Sequence, residues 1–226
     1  MMDGPRRGAR APSRPAGGLG EGTEGVYPPA EDTHLLLAAS LKEVAPEDAV
    51  LEIGCGSGII SKALRHRARW VVATDVNPAA LRRLRREGVE VLRADLFTGI
   101  RGRFDLVLFN PPYLPTEEDE VLVGWINFAF DGGKTGRETI GRFLEGLRDR
   151  LVPERGRALL VVSSLSGPDE VEEKARSLGL TVEVVARERW FFEELLVVRL
   201  SPTPSAGAGG CPGRGFATGR DLREPI

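Results

Sequence analysis

Val50-Leu51-Glu52-Ile53-Gly54-Cys55-Gly56-Ser57-Gly58 reads as a buried strand that runs into a glycine-rich turn and then into a helix. Glycines let the backbone turn sharply and let a ligand approach with no Cβ in the way. Their spacing separates two kinds of ligand. A dinucleotide fingerprint needs glycine at the first, third and sixth positions, whereas here the sixth is Ile59 and the glycines fall first, third and fifth, which disfavours a pyrophosphate cradle. Asp75 stands 17 positions after Gly58 at the end of a second apolar run, where its carboxylate could accept from both hydroxyls of a ribose. Asp95 and Leu96 follow a third run, an acceptor for a ring amine and an apolar cover for the ring. Glu52, inside the end of the first strand, suits a cationic part of the ligand. Each feature alone has a plainer reading: an ordinary α/β loop, a cap for a helix beginning at Pro78, a solvated turn residue. Together, each at the C-terminal end of a successive strand, where open α/β sheets bind ligands, they favour a cofactor site.

A chain of 226 residues is most simply one domain with a single core. Residues 1–22 hold nine Gly or Pro and residues 201–226 hold ten, so neither stretch can bury enough surface to offset ordering, and both are expected to be disordered tails. The folded domain is expected over residues 23–200. The tails carry net charges of +2 and +1, which leaves −5 on residues 23–200 of a chain whose total is −2. An acidic fold argues against nucleic acid held by bulk electrostatics. Cys55 and Cys211, with His34 and His66, have no spacing that would hold zinc or frame disulfides, so no metal is expected and the chain reads as cytoplasmic. No apolar run approaches the ~20 residues of a membrane helix, and no signal peptide is visible.

Short β-rich runs alternate with helical patterns, the signature of an α/β domain with a mostly parallel sheet. Strands are expected at residues 49–53, 70–74, 90–93, 104–109, 157–163, 181–187 and 192–200, and helices at 32–44, 59–66, 78–87, 136–151 and 168–178. Glu31 and Asp32 suit the positive end of the first helix dipole. The last two strands are separated by too short a turn for a crossover, so they form an antiparallel hairpin. The pattern resembles the class I methyltransferases: a Rossmann-like, seven-stranded, mostly parallel sheet with one antiparallel strand and helices on both faces. That resemblance implies S-adenosyl-L-methionine as cofactor. Its sulfonium, ammonium, ribose diol and adenine, with no phosphate, match three acidic groups around a glycine turn.

Asn110-Pro111-Pro112-Tyr113 follows the apolar run 104–109 and so sits where the fourth strand opens toward the cofactor. This is the most specific signal in the chain. A planar NH2 group has a delocalised lone pair, so an enzyme must hold the group with that pair aimed at the methyl it will accept. The Asn110 side-chain oxygen and the Pro111 carbonyl can each accept one N–H, which orients the group and favours the positive charge that develops. Each proline fixes φ near −65°, and Pro112 pushes Pro111 into an extended conformation, so the carbonyl direction is set in advance. Tyr113 offers a flat wall for a planar acceptor. The plain alternative is a strand end followed by a proline turn.

Asn-Pro-Pro-Tyr is similar to the motif of HemK-type protein glutamine methyltransferases and of enzymes that methylate the amino groups of adenine or cytosine. Val26-Tyr27-Pro28-Pro29-Ala30-Glu31-Asp32-Thr33 resembles the N-terminal motif of the archaeal and eukaryotic branch that methylates the Gly-Gly-Gln glutamine of class I release factors. Phe130-Asp131-Gly132-Gly133-Lys134-Thr135-Gly136-Arg137-Glu138 resembles that branch's segment after the catalytic loop. The resemblance covers roughly residues 25–200. It implies N5-methylation of that glutamine, with Thr33, Glu52, Gly54, Gly56, Asp75, Asp95, Leu96 and Asn110 at the cofactor and Asn110, Pro111, Pro112 and Tyr113 at the acceptor. It also implies a small zinc-binding activator subunit that extends the sheet, for which Val89, Val91 and the strand 90–93 are the expected docking edge.

Weaker features keep two readings. Trp125, Phe128 and Phe130 line a substrate groove or pack their loop down; Lys134 and Arg137 meet an acidic partner or form a solvated face. His34 and His66 are expected on helix surfaces, and Trp190, Phe191 and Phe192 in the core of the last hairpin. The alternative acceptors are a protein lysine or adenine in nucleic acid. A lysine lone pair needs deprotonation more than planar orientation, and no basic channel for nucleic acid is evident.

Overall fold

The computed structural model describes residues 26, 28–113, 133–190 and 192–204. Both terminal stretches expected as tails, apart from residues 201–204, lie outside the described residues, as do Tyr27, Trp125, Phe128, Phe130, Phe191 and Cys211. In chain order the elements are α1 (Glu31–Glu43), β1 (Ala49–Ile53), α2 (Ile59–Leu64), β2 (Trp70–Asp75), α3 (Pro78–Arg86), β3 (Glu90–Arg93), β4 (Leu106–Phe109), α4 (Glu138–Leu147), β5 (Arg157–Ser163), α5 (Pro168–Ser177), β6 (Leu180–Arg189) and β7 (Glu194–Pro202).

One seven-stranded sheet has the order β3-β2-β1-β4-β5-β7-β6. All its pairs are parallel except those made by β7, which runs antiparallel to both β5 and β6. The central strands are buried on both sides because their sequences are continuous apolar runs. Alternate residues feed two cores. Leu51, Ile53, Val107, Phe109 and Leu160 pack with Phe143 and Leu144 of α4, while Val50, Leu106, Leu108 and Leu159 pack with Leu36 of α1 and Leu64 of α2. After β1 the chain builds outward to β3, then returns to place β4 on the other side of β1. That reversal opens a crevice between the C-terminal ends of β1 and β4, the place where such sheets bind ligands.

At the opposite edge Arg157 donates to the carbonyl of Asp105 and pairs with Asp48 and Glu43, tying the starts of β1, β4 and β5 to the end of α1. Several boundaries differ from the sequence reading. The expected strand 104–109 is regular only over Leu106–Phe109, because Phe104 makes an isolated bridge to Leu151. The helix expected over 136–151 is α4 followed by a 3-10 turn at Arg148–Arg150. β7 begins two residues later than expected and continues to Pro202, so Ser201 and Pro202 belong to the sheet.

The aromatic hairpin core is a correction: Trp190 is 45% exposed and Phe192 80%. The hairpin closes beside them through its backbone, Trp190 N donating to the Glu193 carbonyl at 2.7 Å. Val89 is a second correction. It is buried under α3 with Ala80 and Leu84, so only Val91 and the 44% exposed Leu92 present apolar surface along β3. His34 and His66 are exposed as expected, His66 just past the end of α2.

Candidate active site

The turn after β1 has three glycines with positive φ: Gly54 (64°), Gly56 (47°) and Gly58 (72°). Gly58 is doubly constrained, since a Cβ there would lie 2.5 Å from Leu84 Cδ1. The turn is fixed from beside and below. Cys55 N donates to the Thr74 carbonyl (2.8 Å), and Gly56 N donates to Asp75 Oδ2 (2.9 Å). The other Asp75 oxygen accepts from Asn77 N at 2.8 Å, and Asn77, not Asp75, caps α3 through Ala79 N. Asp75 therefore holds the loop already, its Oδ2 accepting also from Cys55 Sγ at 3.9 Å. Burial raises its carboxyl above the ordinary range, against the pull of three backbone N–H groups.

Glu52 lies one layer deeper. Its Oε2 accepts from the backbone N of Ser61 at 2.9 Å and from the Ser61 hydroxyl. Burial pushes its carboxyl from 4.5 up to about 7 despite both bonds. The structure thus places beneath the turn a buried carboxyl that holds its proton more tightly than an exposed one. Burial, together with Glu52 and Asp75, drives the Cys55 thiol up, which makes it a poor nucleophile.

Past β3 the chain turns at Asp95 and Leu96. Leu96 has a positive φ of 48°, a conformation that costs a non-glycine residue and is held here by its burial in the core. It serves that core more than it serves an open surface. Asp95 is about half exposed and pairs with Arg142 Nη2 of α4 at 2.6 Å. Sequence reasoning missed Arg142, which lies 47 positions away in an ordinary amphipathic helix.

Asn110, Pro111, Pro112 and Tyr113 leave the C-terminal end of β4. Ile53 is in register with Phe109, so Asn110 emerges beside Gly54. Asn110 Oδ1 is buried with no hydrogen-bond partner among the described residues. A buried amide oxygen without a donor costs on the order of 1–3 kcal/mol, a cost that an incoming N–H or O–H would remove. Tyr113 OH donates to Asp32 Oδ2 at 3.2 Å, and Asp32 Oδ1 accepts from Thr33 N (2.5 Å) and Thr33 Oγ1 (3.1 Å). Buried Asp32 and Thr33 at the start of α1 are thereby joined to the segment after β4 across 81 positions. Asp32 is a residue the sequence reading took only as a helix-dipole charge. Its sole signal was its place beside Thr33 in the N-terminal motif.

Farther out, Arg137 donates to the Ser166 carbonyl and pairs with Glu170, a structural use that neither expectation named. No group of His, Cys, Asp and Glu among the described residues could hold a metal ion.

The glycine turn, the acidic strand ends and the strand order together define a class I methyltransferase. A family model for the methyltransferase small domain matches residues 30–129. The putative protein N5-glutamine methyltransferase MJ0928 of Methanocaldococcus jannaschii is 44% identical over 180 residues, covering 76% of this chain and 90% of that protein. Methyltransferase HEMK2 of Mus musculus is 36% identical over 212 residues, covering 84% and 98%. Among solved structures, a chain of the E. cuniculi Mtq2-Trm112 complex, described as responsible for methylation of the eRF1 termination factor, superposes with a TM-score of 0.65 at 30% identity. The match covers 79% of this chain and 99% of that one. The chain belongs to the HemK-type protein N5-glutamine methyltransferase family.

Proposed function

We propose that the chain transfers the methyl group of S-adenosyl-L-methionine to the side-chain amide nitrogen of the Gly-Gly-Gln glutamine of a class I release factor. The observation that carries the reading is the buried, donor-less Oδ1 of Asn110 at the strand exit beside the glycine turn. The surrounding groups suit the cofactor: backbone N–H groups and carboxylates at successive strand ends can meet a cation, a diol and an adenine. Asp75 would take the ribose, Asp95 the adenine amine, and Glu52 would favour positive charge from below. S-adenosylmethionine supplies an electrophilic methyl group on a sulfonium sulfur.

The chain's own residues do the rest. Asn110 Oδ1 accepts one N–H of the glutamine amide and the Pro111 carbonyl accepts the other, which turns the face of the planar nitrogen toward the methyl carbon. As the new N–C bond forms and the S–C bond to the methyl breaks, leaving its electron pair on sulfur as a neutral thioether, the nitrogen becomes positive and its protons acidic. The two oxygens stabilise that charge, and one proton then passes to water. Tyr113, held by Asp32, fixes the far end of the loop. No base strong enough to deprotonate an amide is required beforehand.

An activator subunit fits the same reading. β3 ends the sheet and pairs only with β2 among the described strands, with Val91 and Leu92 along it. Strand addition there would extend the sheet. No helix of the described residues is long and apolar enough to cross a membrane, in keeping with action on a translation factor in the cytoplasm. The test is label transfer from S-adenosylmethionine to release factor, with and without the small activator, comparing the native Gly-Gly-Gln loop with a Gln replacement. Label confined to the native loop is expected. Label persisting on the replaced factor would move the acceptor to lysine or elsewhere.

A further inference from the structure

The proposed site gives Asp95 the adenine amine, yet a carboxylate about half exposed is free to turn about its own side-chain bonds. Recognition of one ring amine needs that carboxylate aimed. Arg142 Nη2 holds its Oδ2 at 2.6 Å. Among the described residues neither charged group has a further hydrogen-bond or ion-pair partner. Oδ1 therefore keeps its full capacity to accept.

Packing delivers Arg142 to this place. α4 buries Ile140, Phe143, Leu144 and Leu147, and Arg142 occupies the exposed position just before Phe143. The Phe143 ring stacks on Phe97 with centroids 5.4 Å apart and meets Phe109 at 4.9 Å. Phe97 comes two residues after Asp95, and Phe109 immediately precedes Asn110. Gly146 lets Phe97 lie against the helix, since a Cβ there would come within 2.6 Å of Phe97 Cδ2. One helix is thus locked both to the turn that carries Asp95 and to the strand end that carries Asn110. An ion pair as exposed as Asp95–Arg142 adds little to fold stability, because water screens it and both side chains give up freedom to make it. The aromatic contacts hold α4 without it. Its consequence is direction: a carboxylate oxygen accepts and cannot donate, so an aimed Asp95 favours a ring that presents an amine over one that presents a carbonyl at the same place.

We propose that Arg142 is a positioning residue for base recognition, which holds Asp95 Oδ2 so that Oδ1 meets the exocyclic amine of the cofactor's purine. The inference rests on the reading of the turn after β3 as the adenine site. The test is calorimetric titration of the whole chain with S-adenosylhomocysteine and with S-inosylhomocysteine, which carries a carbonyl where adenine carries its amine. The wild type is expected to prefer the adenine ligand by about tenfold or more. In Arg142→Ala, affinity for the adenine ligand should fall about fivefold while affinity for the inosine ligand stays or tightens. The thermal midpoint, and kcat at saturating cofactor, should stay near wild type. In Asp95→Ala the preference should vanish, and adding Arg142→Ala to it should cost nothing more, because Arg142 acts through Asp95. An undiminished preference in Arg142→Ala overturns the positioning role; so does an equal loss for both ligands, or a loss that simply adds in the double variant. A wild type that binds both ligands alike, or an Asp95→Ala that keeps the preference, overturns the adenine reading of Asp95 itself. A wild type that binds neither ligand overturns the cofactor reading.

Discussion

Beneath the glycine turn, the Glu52 carboxyl sits near 7 because loss of water outweighs two hydrogen bonds from Ser61. Its folded pKa is raised above the unfolded one, so the stability it contributes is fully present below about pH 4.5 and is lost as pH rises through 7. A sulfonium or ammonium bound above it favours the carboxylate and lowers that pKa. Cofactor binding at about pH 6.5 should therefore release protons, and affinity should weaken as pH falls from about 8 to 6. Calorimetry in two buffers of different ionisation enthalpy checks this. A buffer-dependent heat that disappears in Glu52→Gln is expected, and a buffer-independent heat in the wild type would remove Glu52 from the cofactor's electrostatics.

The link between α1 and the loop after β4 makes a prediction at the scale of elements. Asp32 ties Tyr113 to the first turn of α1, so Asp32→Asn and Tyr113→Phe should each lower kcat about tenfold while leaving cofactor affinity within about twofold. Because both remove one contact, the double variant should be little worse than either single one; a rate loss that simply adds would mean that the two residues act independently. This link was hidden in the sequence, where nothing joins residues 81 positions apart. The strands were legible for the opposite reason. Strands buried on both faces write their burial as unbroken apolar runs such as Leu106–Phe109, and glycine spacing alone separated this turn from a dinucleotide one. Trp190 and Phe192 misled because an aromatic run reads as core whether it faces inward or out, and Val89 because burial under α3 depends on a helix that arrives from elsewhere.

Across the whole molecule, the order of the strands divides the work. β1, β2 and β3 bring Glu52, Asp75 and Asp95 to the C-terminal end of the sheet, and β4, beside β1, brings Asn110 to the same end at the reversal point. In the proposed reading, cofactor binding rests mainly on Glu52, Asp75 and Asp95 and acceptor orientation on Asn110, so the two can be separated. The most direct test is the single-turnover rate of methyl transfer to release factor by Asn110→Ala at saturating S-adenosylmethionine. The geometry predicts a fall of about 10²–10³-fold that no excess of cofactor restores. A rate close to wild type, or one recovered by adding more cofactor, would contradict the role of Asn110 as the acceptor's clamp.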